Sequence, residues 1–172
     1  ASEVRDLMAL LREFLSTDLP DLKQNGVKVS IIGDRRNLDL ELRGLVATAE
    51  RETKTNDKTL LQIAFNYGGR DEILRAVRRV ALDAAAGRIS ADGLSEEDLE
   101  QYLDTTGVAD PDVVIRTSGE KRTSNFLIWQ AAYAEYVFTD VLWPDFSKEH
   151  FDAAISEFNH RERRYGGVDG VR

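Results

Sequence analysis

Arg116, Arg122 and Ser124 fall within one short stretch, Asp110-Pro111-Asp112-Val113-Val114-Ile115-Arg116-Thr117-Ser118-Gly119-Glu120-Lys121-Arg122-Thr123-Ser124-Asn125-Phe126, which carries the clearest chemical signal in the chain. Val113-Val114-Ile115 reads as a strand, the polar residues around Gly119 as a loop, and the residues from Ser124 as the start of a helix. Such a loop sits at the carboxyl edge of a sheet, where open α/β proteins bind ligands. Arg116 leaves the strand end, and Arg122 and Ser124 stand at the helix start. Guanidinium forks, a hydroxyl and unpaired helix N-terminal amides then converge on one point, a geometry suited to a diphosphate. The same residues admit a structural reading, in which the arginines pair with Asp110, Asp112 or Glu120 and Ser124 caps the helix. Spacing alone leaves both readings open.

Other residues carry weaker signals. Glu135 is the one carboxylate in the apolar and aromatic segment Tyr133-Ala134-Glu135-Tyr136. Burying a charge is costly unless it is paired or metal-bound, so Glu135 is either a hard-metal ligand or an exposed or ion-paired glutamate. Asn66-Tyr67-Gly68-Gly69-Arg70 is a second glycine loop opening a helix, either approaching a ligand or making a tight turn. The tract from His160 to Gly167 reads as a solvated basic helix end.

What is missing narrows the chemistry. The histidines are His150 and His160, both late in the chain, and there is no cysteine. An imidazole or thiolate metal site therefore has almost nothing to use, and disulfide frameworks and cysteine nucleophiles are excluded within this chain. No G-x-S-x-G elbow, G-x-G-x-x-G loop or G-x-x-x-x-G-K-[ST] loop occurs. The remaining reagents are carboxylates, arginines, hydroxyls and backbone amides, which suit phosphate handling with a hard metal such as magnesium. A formal net charge of −8 makes the chain a poor generic nucleic-acid binder, so a bound anion must meet a local basic cluster. With no apolar run of membrane-spanning length, we expect a cytoplasmic protein.

The elements that must position these groups follow from periodicity. Helical spacing of Val4, Leu7, Met8, Leu11, Phe14 and Leu15 predicts an amphipathic helix from Glu3 to about Asp18. A strand is predicted over Val27–Ile32, a helix from Leu38 through Ala49, a buried strand from Leu60 to Tyr67 and a helix through Ile73–Ala84. Ser95 with Asp98 resembles a capping box opening a short acidic helix. After the Val113–Ile115 strand, the pattern predicts a helix from Ser124 to Tyr133, β structure over Tyr136–Val141 and a last helix from Lys148 to Arg164. Alternating strands and helices specify an α/β fold with a mostly parallel central sheet flanked by helices. At 172 residues, against roughly 150 per domain, a single domain over residues 1–172 is expected.

The run RTSGEKRTSNFLIWQAAYAEYVFTDVLWPDF, with NYGGRDEI before it and NHRERRYGG after it, closely resembles the cis-prenyltransferases, nearest to bacterial undecaprenyl diphosphate synthases. The resemblance covers Glu3 through Gly167. It implies a transferase that condenses isopentenyl diphosphate with an allylic diphosphate into a long-chain cis-polyprenyl diphosphate. Arg116, Arg122 and Ser124 would hold the isopentenyl diphosphate group, with Thr123 in the same loop. Glu135 would match a magnesium-associated carboxylate, and Glu3 the glutamate of a mobile lid. A homodimer, Mg2+ as cofactor, peripheral membrane contact for product release, and an apolar tunnel walled by the first helix and the Leu60–Phe65 strand are also implied. The family's M-D-G-N-G-R-W-A loop has no counterpart in this chain, so the resemblance assigns the catalytic aspartate and lid asparagine to a segment preceding Ala1. It also implies that the chain alone is inactive. Two alternatives are a non-catalytic prenyltransferase-like partner subunit and an unrelated phosphate-binding α/β enzyme.

Overall fold

The computed structural model describes residues 2–36 and 38–161. The chain divides into two compact units, Ala1–Thr106 and Gly107–Arg172. The first contains α1 (Ser2–Thr17), α2 (Leu19–Gln24), β1 (Val27–Ile32), α3 (Leu40–Glu52), β2 (Thr59–Ala64), α4 (Gly69–Ala85) and α5 (Glu96–Glu100). Periodicity does not anticipate α2, a helix of only six residues. Pro20 is tolerated there because it stands in the first turn, where its missing N–H has no intrahelical partner to lose.

β1 and β2 are parallel, in register from Val27 opposite Thr59 to Ile32 opposite Ala64, and α3 lies on the crossover between them. Leu11 and Leu15 of α1, Val29 and Ile31 of β1, and Leu42, Val46 and Ala49 of α3 form the core of this unit. Their spacings are four along α1, two along β1, and four then three along α3, which put each set on one face of its element. The predicted strand to Tyr67 stops at Ala64, because Asn66 turns the chain with a φ of 50° and Gly68 caps α4. Gly33, at φ 118°, ends β1 where a Cβ would lie 2.1 Å from the Phe65 carbonyl oxygen, so a side chain there would clash with backbone.

The edge of β1 away from β2 is closed by side chains. The Val29 N–H donates to Thr53 Oγ1 at 2.9 Å, the Ile31 N–H to Glu50 Oε1 at 3.0 Å, and the Gly33 N–H to Asp104 Oδ2 at 3.0 Å. Asn56 Nδ2 donates to the Val27 carbonyl at 2.8 Å. These groups take the place of a neighbouring strand and leave that edge little to offer another chain.

The second unit contains β3 (Val113–Arg116), β4 (Glu135–Phe138), a 3-10 turn at Trp143–Asp145 and α6 (Lys148–His160). β3 and β4 are parallel, from Val113 opposite Glu135 to Arg116 opposite Phe138. The chain is thus α/β with parallel strands, and among the described residues these form two two-stranded ladders, one in each unit. The helix expected from Ser124 to Tyr133 does not form as a regular helix. Residues 124–133 are turns and bends, with Ser124, Asn125 and Leu127 all at positive φ, which interrupts an α-helical ladder. The last helix opens at Ser147, whose N–H donates to His150 Nδ1 at 3.1 Å, so His150 serves as a cap partner. The predicted continuation to Arg164 lies outside the described residues.

Candidate functional site

Arg116 is the last residue of β3, and the loop after it is pinned to the segment after β4. The Thr139 N–H donates to the Arg116 carbonyl at 2.9 Å, the Gly119 N–H to the Thr139 carbonyl at 3.0 Å, and the Ser118 N–H to the Val141 carbonyl at 2.8 Å. Gly119 has a φ of 68° and packs so closely that a Cβ would meet Asp140 Oδ1 at 3.1 Å. This frame returns the chain to the strand end. There Arg116 Nη1 donates to Ser124 Oγ at 3.1 Å and to the Arg122 carbonyl. Arg116, Arg122, Thr123, Ser124 and Tyr136 line a cavity of about 220 Å³.

The four sequence-predicted residues of this loop therefore meet at one pocket, though by a different backbone from the one expected. The amides of a regular helix N-terminus are replaced by a turn in which consecutive non-glycine residues, Ser124 at φ 48° and Asn125 at φ 63°, hold left-handed conformations. Such conformations persist only where the surroundings enforce them, and they cluster at ligand sites. The structural alternative is realised at Arg122, which pairs with Glu120 while its side chain stays 67% exposed. Arg116 has no carboxylate partner among the described residues.

Glu135 stands elsewhere. It begins β4 opposite Val113, about 10 Å along the strand from the level of Arg116. Tyr136 lines the cavity, and alternation along β4 puts Glu135 on the opposite face. Its Oε2 accepts from Arg161 Nη1 at 3.0 Å, and this pairing raises the guanidinium pKa further above its ordinary value. The described residues contain no group of three or more His, Cys, Asp or Glu side chains able to hold a metal. Glu135 is thus ion-paired to Arg161 and stands on the face of β4 opposite Tyr136. Glu3 falls within α1, but its side chain lies outside the described residues.

Two further features of the first unit stand out, and the first escaped the sequence reading. Glu72, in the first turn of α4, is fully buried: Tyr67 Oη donates to its Oε2, and the Asp104 N–H donates to its Oε1 at 2.8 Å. Asp104 in turn accepts two bonds from Arg75 at 2.7 Å, and these, ahead of the bond from Asp71, raise the Arg75 pKa. Together with the Gly33 bond, this network ties the carboxyl ends of β1 and β2 to α4 and to the turn after α5. A glutamate in a first helical turn reads as a dipole partner on a solvated face, and nothing in its spacing announces burial. The second feature is an apolar cavity of about 250 Å³ lined by Leu7 and Met8 of α1 with Ala64, Phe65 and Asn66 at the end of β2. It joins the two elements the resemblance named as tunnel walls.

Residues 1–166 match the prenyltransferase family described as "Putative undecaprenyl diphosphate synthase". The isoprenyl transferase of Agrobacterium fabrum is 51% identical over 167 residues, covering 97% of this chain and 68% of that protein. Among solved structures, lavandulyl diphosphate synthase from Lavandula x intermedia in complex with dimethylallyl diphosphate superposes with a TM-score of 0.92 at 34% identity, covering 96% of this chain and 72% of that one. A probable undecaprenyl diphosphate synthase from Campylobacter jejuni gives a TM-score of 0.85 at 36% identity, covering 96% and 76%.

Proposed function

Because the chain belongs to the prenyltransferase family of undecaprenyl diphosphate synthases, transferases that elongate cis-prenyl chains, we propose that its Arg116 pocket holds the diphosphate of isopentenyl diphosphate. One observation carries this reading: the Arg116 guanidinium, fixed by Ser124 Oγ and the Arg122 carbonyl, faces a cavity with no carboxylate among the described residues to neutralise it. In a chain of net charge −8, an oriented and uncompensated cation at a strand end is an anion site. Arg122, more exposed, exchanges Glu120 for a diphosphate oxygen, and Ser124 and Thr123 supply hydroxyl donors.

In the reaction, the isopentenyl double bond attacks the allylic carbon, the allylic diphosphate departs and a proton is lost to form the new cis double bond. The residues on this loop act by position. Holding one substrate by its diphosphate at a fixed strand end converts an encounter between two small molecules into a step within a bound complex. The apolar cavity between α1 and the end of β2 receives prenyl hydrocarbon in this reading. Prenyltransferases of this family use Mg2+. Glu135 is the carboxylate the resemblance would give that ion, and no step here is routed through it. The reading includes a homodimer, supported by the outward-facing Phe126, Ile128, Tyr133, Leu142 and Trp143, and a cytoplasmic enzyme whose lipid product is released at a membrane surface. No helix among the described residues is long and apolar enough to cross a membrane.

The test is equilibrium binding of isopentenyl diphosphate. Arg116→Ala removes a charge-assisted donor worth about 1.5–3 kcal/mol, which predicts a loss of about 10- to 150-fold in affinity. Arg116→Lys should rescue poorly, since a point charge cannot reproduce the fork. Unchanged affinity in Arg116→Ala, or equal affinity of the parent for a nucleoside triphosphate, would overturn the assignment.

A further inference from the structure

A second basic concavity, carried wholly by the first unit, has no part in the function above. It is an open pocket of about 440 Å³ between the turn after β1 and the middle of α4. Arg75, Arg78 and Arg79 share one face of α4 at spacings of three and four residues, and Arg35 and Arg36 meet them from the turn. Like charges at those spacings weaken a helix, so the clustering is not a by-product of helix stability.

The pairings show which cations remain available. Asp34 is taken by Arg36 at 2.8 Å, and Asp104 by Arg75 at 2.7 Å. Arg35 turns to Glu50 at 2.6 Å. Arg78 makes no hydrogen bond or ion pair with any described residue. Arg79 donates to the Tyr102 carbonyl and lies over the Tyr102 ring, 5.9 Å from its centroid, with no carboxylate partner among the described residues. Adjacent guanidinium groups thus line a concave surface with most of their donors unspent, while both carboxylates in the pocket are already neutralised.

We propose that this pocket binds a small phosphoanion of the diphosphate class, with Arg78 and Arg79 as its principal ligands. A diphosphate offers several strong acceptors within a few ångströms, matching adjacent forks better than a single carboxylate can. The flanking carboxylates Asp34, Asp71 and Asp104 make the basic area too small for an extended polyanion such as a nucleic acid.

The experiment titrates inorganic diphosphate into the full protein carrying Arg116→Ala and Arg122→Ala. Binding at the strand-end loop is thereby removed, and the outcome does not depend on that reading. Calorimetry gives the affinity, and the arginine Nε–Hε resonances report the location. The expected result is saturable binding, with the Arg78 and Arg79 resonances shifting and affinity falling at least tenfold on adding Arg78→Ala with Arg79→Ala. Both residues are exposed, so the fold should hold. If that double variant fails to fold, Arg78→Gln alone should still lower affinity. Absence of saturable binding, resonances that do not move, or affinity unchanged by the Arg78 variants would overturn the proposal.

Discussion

Thr53 is the sharpest test of how β1 is finished. It is fully buried, and its hydroxyl does two things: it accepts the Val29 N–H at 2.9 Å and donates to the Ala49 carbonyl at 2.7 Å. Thr53→Val keeps the shape and removes the hydroxyl. The Ala49 carbonyl keeps a partner in the Thr53 N–H at 3.1 Å, so its loss is minor. The Val29 N–H has no such reserve and is left unsatisfied in a buried site, which costs about 1–3 kcal/mol. For a chain of this size, each kcal/mol corresponds to roughly 2–4 °C, so melting should fall by about 2–12 °C. Thr53→Ser retains the hydroxyl and loses one methyl, worth about 0.8 kcal/mol of burial, with any cavity term added. Thermal and urea unfolding should therefore rank the parent above the serine variant and the serine variant above valine. In amide exchange, the Val29 proton should lose protection in the valine variant well beyond the general loss of stability. A valine variant as stable as the serine variant, or a Val29 amide that keeps its relative protection, would refute the edge-capping argument.

Three further outcomes follow from the same physics. Glu72→Gln leaves one of the two donors from Tyr67 and Asp104 without its charged acceptor and should destabilise by about 1–3 kcal/mol in urea unfolding, whereas a solvated glutamate would change little. The Asp34 carboxyl is held down from 3.8 to about 2, first by the Arg36 side chain and next by its backbone N–H. The stabilisation from that pairing is present above 3.8 and is lost as pH falls through about 2, and Arg36→Ala should return the NMR titration midpoint of Asp34 toward 3.8. Ala64→Phe narrows the cavity between α1 and β2, so binding of a long-chain prenyl diphosphate should weaken in calorimetry, and an unchanged affinity would detach that cavity from the prenyl chain.

Local rules sufficed for much of the frame. β1 runs over the residues predicted from β-branched alternation closed by Gly33, and Ser95 with Asp98 does form a capping box. Each of these depends on neighbours within a few positions, which is the range periodicity and capping encode. The loop residues Arg116, Arg122, Thr123 and Ser124 were legible for a similar reason: a strand end, a glycine and clustered donors lie close together in the chain. Tertiary structure decided the rest. Helical periodicity continues past Ser124, yet the bonds from Thr139, Gly119 and Ser118 tie the preceding loop to the segment after β4, and the chain beyond takes left-handed turns in place of a helix. For Glu135 the residues allowed a metal ligand or an ion-paired glutamate, and only the packed structure shows Arg161, distant in sequence, as its partner. The burial of Glu72 and the closure of β1 by Glu50, Thr53 and Asp104 join residues from 19 to 71 positions apart. One-dimensional spacing cannot encode such pairings, because each donor and acceptor is satisfied only after the elements have packed.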